Sequence, residues 1–452
     1  MASPGTAIRL NPFKGLDGPA GDPVPWSPYG RFLETRPSFI TDPLMHAGCY
    51  YVQDSSAMFV GHIFRRELQR LGNPPGIRVL DLCAAPGGKT TDIAASLRDA
   101  CGDKFTLYSN EVIKSRAATL ADNAAIWGDP AVRVISADPA VIGKALPGSF
   151  DVIVADVPCS GEGMFRKDPR AEQEWSPELV DLCVARQKRI LADVWPALRE
   201  GGVLIYSTCT YEDAENDGNL LWAAKTLGGE LLPSESAFAS YGVKQTECGN
   251  LLRAGEVPGE GQWVGALVKT APAPDSLGGN PSLLRPLWSG PPAPERKGKD
   301  LIPNADEALS ILFDKSMYPC AELDLQEALH FLHRDSFVLP GAPVGYNVVT
   351  YKGHPLGFVK NLGKRCNNLH PAGRRLLKDV CKRYLFSRRC SSAPLHMHRP
   401  MRRRMPHAMS ARCVTWALPV WGWKPSLTAG KPISPTTRPY MTGAANSTLP
   451  SL

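Results

Sequence analysis

The residues best suited to chemistry are two cysteines set in short turns. Cys159 lies in Asp156-Val157-Pro158-Cys159-Ser160-Gly161-Glu162-Gly163, and Cys209 in Ser207-Thr208-Cys209-Thr210-Tyr211. Each turn follows an apolar run that reads as a strand, so both thiols are expected at one edge of a sheet. A lone cysteine in such a place is ordinarily a small apolar filler. Two at consecutive strand ends weaken that reading. Methylating carbon 5 of a pyrimidine needs a nucleophile, because that carbon is unreactive until something adds at carbon 6. A thiolate can add there and give carbon 5 enamine character. The carbon then attacks a sulfonium methyl, and loss of the carbon-5 proton lets the thiolate leave. Asp156 is placed to contact the base edge and favour protonation of the ring nitrogen.

A methyl donor needs its own site, and Asp81-Leu82-Cys83-Ala84-Ala85-Pro86-Gly87-Gly88-Lys89-Thr90 offers one: a strand, a turn of small side chains, then a helix. Small side chains let backbone approach a ligand closely, and a helix N-terminus can bind a carboxylate or phosphate. A phosphate-cradling P-loop would end in the same Gly88-Lys89-Thr90. Its first glycine, however, falls at Cys83, and Pro86 removes an amide donor. Glu111 ends the next strand, where it could accept both hydroxyls of a ribose. Asp138 follows the third strand and Asp156 ends the fourth. Acids at successive carboxyl ends of parallel strands face one crevice, which an adenosyl ligand explains better than chance exposure. Any one of them alone reads as a turn former or cap.

The elements that must position these groups are short apolar runs at 77–82, 105–108, 132–135, 150–155 and 203–206, separated by amphipathic stretches. That alternation predicts βαβ units in a doubly wound, Rossmann-like α/β domain over residues 61–271. The clearest helix is predicted over 179–198, opened by Ser176 as N-cap, Pro177 and Glu178. Residues 1–60 precede this domain. Residues 272–304 are dense in Pro and Gly and read as a linker or surface excursion, and residues 305–378 as a small β-rich domain. From residue 379 to 452 the composition shifts: positions 380–452 hold no Asp or Glu and 12 Lys or Arg. This atypical basic tail is read as disordered or loosely attached. An out-of-frame extension of the gene would produce the same shift, which resequencing would reveal.

The length, 452 residues, suits about three domains. No stretch approaches the roughly 18 apolar residues of a membrane span, and the N-terminus has no apolar signal region. A soluble, cytoplasmic protein is expected. Twelve cysteines without a CxxC pair signal neither zinc nor a disulfide framework, so no metal is expected and a reducing compartment fits. The net charge of +7 is misleading. Removing the tail's 12 cations from the 51 leaves 39 against 44 acidic residues, so the body is net −5. Any nucleic-acid affinity there must come from local patches.

The segments LDLCAAPGGKT, SNE, ADVPCSGEGMFRKDP, EWSPE, RQKRIL and GGVLIYSTCTYEDAEN together resemble the Nol/Nop/Sun family of S-adenosylmethionine-dependent RNA cytosine-C5 methyltransferases. The likeness spans residues 8–376 and is nearest the F type that acts on bacterial small-subunit (16S) ribosomal RNA. The resemblance implies that Cys209 attacks the base and Cys159 assists product release. It also implies that Cys83, Ala84, Ala85, Pro86, Gly87, Gly88, Lys89, Glu111, Asp138 and Asp156 contact S-adenosylmethionine. The implied partner is ribosomal RNA or the small subunit, met by an N-terminal RNA-binding subdomain and a C-terminal PUA-like domain, and a monomer is expected. Candidate RNA contacts are segments 7–14, 24–38 and 50–56, then Arg166, Lys167 and Arg170, and in the C-terminal domain Lys360, Lys364, Arg365, Asn367 and Asn368. A transfer RNA methyltransferase, a non-catalytic RNA-binding assembly factor of the same fold and a P-loop hydrolase are the alternatives. The chain departs from the family in Val157 where Ala is usual, and in Ala214-Glu215-Asn216 where an acidic pair usually precedes Asn. Helices that usually precede the Ile8–Pro12 segment are missing, so a truncated N-terminal subdomain is expected. The ending after Leu376 resembles nothing in the family.

Overall fold

The computed structural model of the chain describes residues 5–165, 169–273 and 279–377. The chain opens with β1 (Thr6–Leu10), β2 (Asp22–Pro23), β3 (Gly30–Leu33), α1 (Pro43–His46), β4 (Tyr50–Val52) and α2 (Met58–Arg70). The alternating region follows as β5 (Ile77–Asp81), α3 (Gly88–Cys101), β6 (Phe105–Asn110), α4 (Lys114–Trp127), β7 (Val132–Ile135), α5 (Pro139–Ala145) and β8 (Phe150–Asp156). Next come α6 (Pro169–Glu174), α7 (Pro177–Val194), β9 (Leu198–Thr208), α8 (Asp217–Ala223), β10 (Gly229–Leu231), β11 (Lys244–Gln245), β12 (Gly249–Leu252) and β13 (Gln262–Lys269). The last described part holds β14 (Glu295–Lys297), β15 (Asp300–Ile302), α9 (Ala305–Leu309), β16 (Cys320–Glu322), α10 (Leu325–His333), β17 (Gly345–Tyr351), β18 (His354–Asn361) and β19 (Cys366–Asn368).

The apolar runs read from the sequence become one side of a nine-stranded sheet in the order β11-β12-β13-β9-β8-β5-β6-β7, with β10 on β13. The five strands from β7 to β9 are parallel, and β13 adds antiparallel to β9. Alternate residues of a strand face opposite sides, and here both sides are core. Val79, Val152 and Ile205 pack with Phe59, Phe64, Ile93 and Leu120 of α2–α4. Leu80, Ile153 and Leu204 pack with Ile142, Leu191 and Leu220 of α5, α7 and α8. The doubly wound α/β reading therefore holds. Because β5 pairs with β6 on one side and β8 on the other, the winding reverses there and leaves a crevice beyond their carboxyl ends.

The differences from the sequence reading have local causes. Helix α7 starts as predicted, with Ser176 Oγ accepting from the Leu179 amide at 3.2 Å, but it ends at Val194. Pro196 has no amide to continue it, the chain tightens into a 3-10 turn over Trp195–Ala197, and Leu198 already belongs to β9. Leu182 on this helix is 55% exposed. Within the Pro/Gly-rich stretch, Trp288 is buried against the edge of β7: its carbonyl accepts from Val134 N at 2.8 Å, and Val134 O accepts from Leu287 N at 2.7 Å.

The N-terminal sheet, β2-β3-β1-β4, and the C-terminal sheet, β16-β17-β18-β19, share one apolar core in which Ile8, Leu10, Leu44 and Tyr50 meet Leu329, Phe331, Val349 and Leu356. Arg374 ties that core to the helices beside the nine-stranded sheet through Asp122 of α4 (2.8 Å) and Asp306 of α9 (2.6 Å). The basic tail over 379–452, Arg166 and Lys167 lie outside the described residues, as does the side chain of Arg170.

Candidate active site

The fold brings Cys159, after β8, and Cys209, after β9, to neighbouring strand ends. Their sulfurs are 3.2 Å apart, and both are free thiols. One must donate to the other. The Cys159 hydrogen bond holds the Cys209 pKa below its ordinary value, helped by the Lys89 ammonium and opposed by burial and Asp156. The same contact, with burial, pushes Cys159 well up. Cys209 is therefore the more acidic thiol of the pair, and Cys159 the one that donates to it.

Both turns are held by polar groups that the sequence reading passed over. Glu162 accepts from the Tyr211 amide (2.7 Å) and the Thr210 hydroxyl (3.0 Å), and Thr210 meets Ser160 at 2.9 Å. Glu215, fully buried, accepts from the Ser160 amide (3.1 Å) and from Gln187 (2.6 Å). Burial raises its pKa, while these donors pull it back. Gly163 N donates to the Cys209 carbonyl at 2.8 Å, and a Cβ at Gly163 would lie 2.7 Å from that same oxygen. Gly163→Ala must push the Cys209 loop away, so a Cys209-dependent rate is expected to fall by ~100-fold, since misplacing a reacting group by about 1 Å has that effect. Steady-state kinetics with a folding control by circular dichroism measures it.

Asp156 faces the same space. Its Oδ2 accepts from Lys89 Nζ at 2.8 Å, and its Oδ1 from Ser207 Oγ (2.8 Å) and Gln262 Nε2 (3.0 Å). Burial works against the Lys89 ammonium, but Asp156 more than offsets it and its pKa lies above normal. This lysine is thus committed to a carboxylate, which is not the free phosphate ligand of a P-loop.

Above β5 and β6 the turn from Cys83 to Lys89 is fixed from outside. Its carbonyls at Ala85, Pro86 and Gly88 accept from Arg116 (3.0 Å), Asn123 (2.7 Å) and Arg9 (3.2 Å). Gly87 stands at φ +115°, where a side chain would be strained, and α3 begins at Gly88 with its first amides lacking helical partners. A Cβ at Gly88 would meet the Tyr51 ring at 3.3 Å. Two buried polar atoms flank the turn without a hydrogen-bond partner among the described residues, Asp81 Oδ1 and Gln53 Nε2. Burial pushes the Asp81 carboxyl up to about 7, against the Thr90 hydrogen bond (2.6 Å) and Lys89. Glu111, 3% exposed, is engaged by the Ile113 amide (3.0 Å) and Arg116 (3.3 Å). Asp138 is exposed at the same sheet edge and caps α5 through the Ala140 amide (3.0 Å).

Residues 70–227 match the model of the family described as 16S rRNA methyltransferase RsmB/F, and residues 318–376 match a methyltransferase RsmF PUA domain. The ribosomal RNA small subunit methyltransferase F of Shigella dysenteriae is 32% identical over 437 residues, covering 82% of this chain and 88% of that protein. The protein of the same name from Escherichia coli O1:K1 is 32% identical over 445 residues, covering 82% and 90%. The chain belongs to this family. The crystal structure of PH0851, with a TM-score of 0.51 and 24% identity over 60% of each chain, shares the fold.

For this RsmB/F-family chain the predicted cysteines, Asp156 and the turn 83–89 converge at one sheet edge, with Glu111 and Asp138 on the same edge over β6 and β7. The RNA contacts predicted near the N-terminus need correction. Arg9 is fully buried, donating to Gln53 (2.9 Å), Gly88 O and Thr91 Oγ1 under the Trp127 ring. Lys14 Nζ is spent on the carbonyls of Ala47 (2.6 Å) and Ile126 (2.9 Å), and burial lowers its pKa to about 8. Trp26 and Tyr50 are each 2% exposed, so neither can stack on a base. Segment 53–56 is a strut: Asp54 and Ser55 bind the backbone of Glu260 (2.9 Å) and Pro258 (2.8 Å) beside the Cys209 loop. In the C-terminal domain Lys364, Arg365 and Asn367 are exposed, whereas Asn368 is tied to Phe331 O (2.8 Å) and Lys360 to Asp300.

Proposed function

We propose that the chain transfers the methyl of S-adenosylmethionine to carbon 5 of a cytidine in small-subunit ribosomal RNA. The observation that carries this reading is the 3.2 Å thiol pair, with its depressed Cys209, at the strand edge that also holds Asp156 and Lys89. A methyltransferase acting on a nitrogen or oxygen nucleophile has no use for such a pair, because those atoms attack a sulfonium without covalent activation.

The cofactor supplies an electrophilic methyl on a sulfonium when bound. The chain supplies the rest. Asp81 would receive an ammonium, and the unpaired Gln53 amide with the first amides of α3 would receive a carboxylate, which together fit the amino-acid end of the cofactor. Glu111 would take the ribose hydroxyls, and Asp138 the far end of the crevice. Cys209 adds to carbon 6 of the cytosine while the ring nitrogen takes a proton from water, and Asp156, which accepts from Lys89, Ser207 and Gln262, stabilises that proton. Once carbon 5 is methylated, the ring-nitrogen proton and the carbon-5 proton pass to water, and the electron pair of the carbon-5 C–H bond expels Cys209 as a thiolate into the Cys159 hydrogen bond. RNA carrying 5-fluorocytidine cannot lose a carbon-5 proton, so methylated, Cys209-linked RNA is expected to accumulate. Peptide mapping that finds no link, or a link elsewhere, overturns the assignment.

Asp81 also yields a stability test. An acid whose pKa rises on folding has its full stability below its unfolded value of ~3.9, and loses stability as pH climbs towards its folded value. Here that window runs up to about 7. Asp81→Asn is therefore expected to raise the Tm of the ligand-free protein at pH 7.5 by ~2–5 °C and to weaken S-adenosylmethionine binding by ~10-fold or more. Scanning calorimetry and titration calorimetry read the two effects separately.

A further inference from the structure

We propose that the β14–β15 hairpin, outside both matched family regions, is an RNA-backbone clamp that acts with the β18–β19 turn; this rests on the RNA-methylation reading above. The hairpin pairs Glu295 with Ile302, Arg296 with Leu301 and Lys297 with Asp300, and turns through Gly298 and Lys299. It is mounted at both ends. Upstream, Trp288 bonds the edge strand β7; downstream, Asn304 caps α9, whose Asp306 holds both the Trp288 indole (3.2 Å) and Arg374 (2.6 Å). Its tip is joined to the C-terminal sheet because Lys360 of β18 pairs with Asp300.

That pairing also decides the charge. Residues 295–302 and 360–368 together carry six cations, Arg296, Lys297, Lys299, Lys360, Lys364 and Arg365, against two acids, Glu295 and Asp300. Lys360 uses up Asp300, and Arg296, Lys297, Lys299, Lys364 and Arg365 are exposed without an ion pair among the described residues. The first 379 residues are net negative, so this concentration runs against the charge of the body around it. The cations are spread over the strands and turns of two hairpins that the Lys360–Asp300 pair joins. Cations spread in this way match successive phosphates of a nucleic-acid strand better than a small anion.

The test uses the full chain with Arg296→Gln, Lys297→Gln and Lys299→Gln combined, compared with wild type for binding to small-subunit ribosomal RNA across a salt series. All three side chains are exposed, so Tm should match wild type. Expected are an RNA Kd raised by ~10-fold or more, a salt slope smaller by about 2–3, and an unchanged Kd for S-adenosylmethionine. Wild-type affinity and slope in the triple variant overturn the clamp while leaving the methylation reading intact. Wild-type protein that shows no salt-dependent RNA binding overturns both. A variant that binds naked RNA normally but loses only assembled subunits overturns it in favour of a protein contact.

Discussion

Cys209→Ala is expected to abolish methyl transfer, by ~10⁴-fold or more, while leaving the Kd for S-adenosylmethionine unchanged. Cys209→Ser should fail nearly as badly. The site lowers a thiol pKa through one hydrogen bond from Cys159 and the charge of Lys89, which is far too little to ionise a hydroxyl. The pH profile follows with a definite sign. The reactive form is deprotonated, so the single-turnover rate is full above the Cys209 pKa and lost as pH falls through it. Because that pKa is depressed, the midpoint should lie below the ~8.5 of an ordinary cysteine. Single-turnover kinetics from pH 5 to 9 measures it, and a midpoint at or above 9 would contradict the electrostatics of the pair.

Cys159→Ala is expected to slow turnover by ~10²–10³-fold and to leave protein–RNA adduct that survives denaturation. Without the Cys159 donor, Cys209 becomes a more basic thiolate. It still adds to carbon 6 but departs more slowly, so the adduct formed in the first turnover persists. Cys159→Ser restores a donor and should recover part of the turnover. The variant lacking both cysteines should give no adduct. A denaturing gel with labelled RNA separates these outcomes, and a Cys159→Ala enzyme that turns over like wild type would remove Cys159 from the release step.

The sequence made the chemistry-bearing turns legible because their information is local: residue types at strand ends, small side chains ahead of a helix, Ser176-Pro177 at a helix start. What it hid depends on burial and on partners far along the chain. Arg9 and Lys14 look like RNA ligands in a polar, aromatic segment, yet both close internal joints with α3 and α4. Gln262, which orients Asp156, stands 106 residues away from it, and Gln53, beside the Cys83–Lys89 turn, comes from the segment just after β4 of the N-terminal sheet. An amide side chain carries no signature of its own, so neither could be singled out before the fold brought them in. Asp81 is the exception that could have been found, since an acid at the buried end of a parallel strand must have a polar reason to be there.

The central claim, cysteine-dependent methylation of carbon 5, is tested most directly by nucleoside analysis after reaction with methyl-labelled S-adenosylmethionine and unmodified small-subunit ribosomal RNA. Label is expected in 5-methylcytidine with wild-type protein and in no nucleoside with Cys209→Ala. Label in any other nucleoside, or 5-methylcytidine made by Cys209→Ala at the wild-type rate, would contradict it.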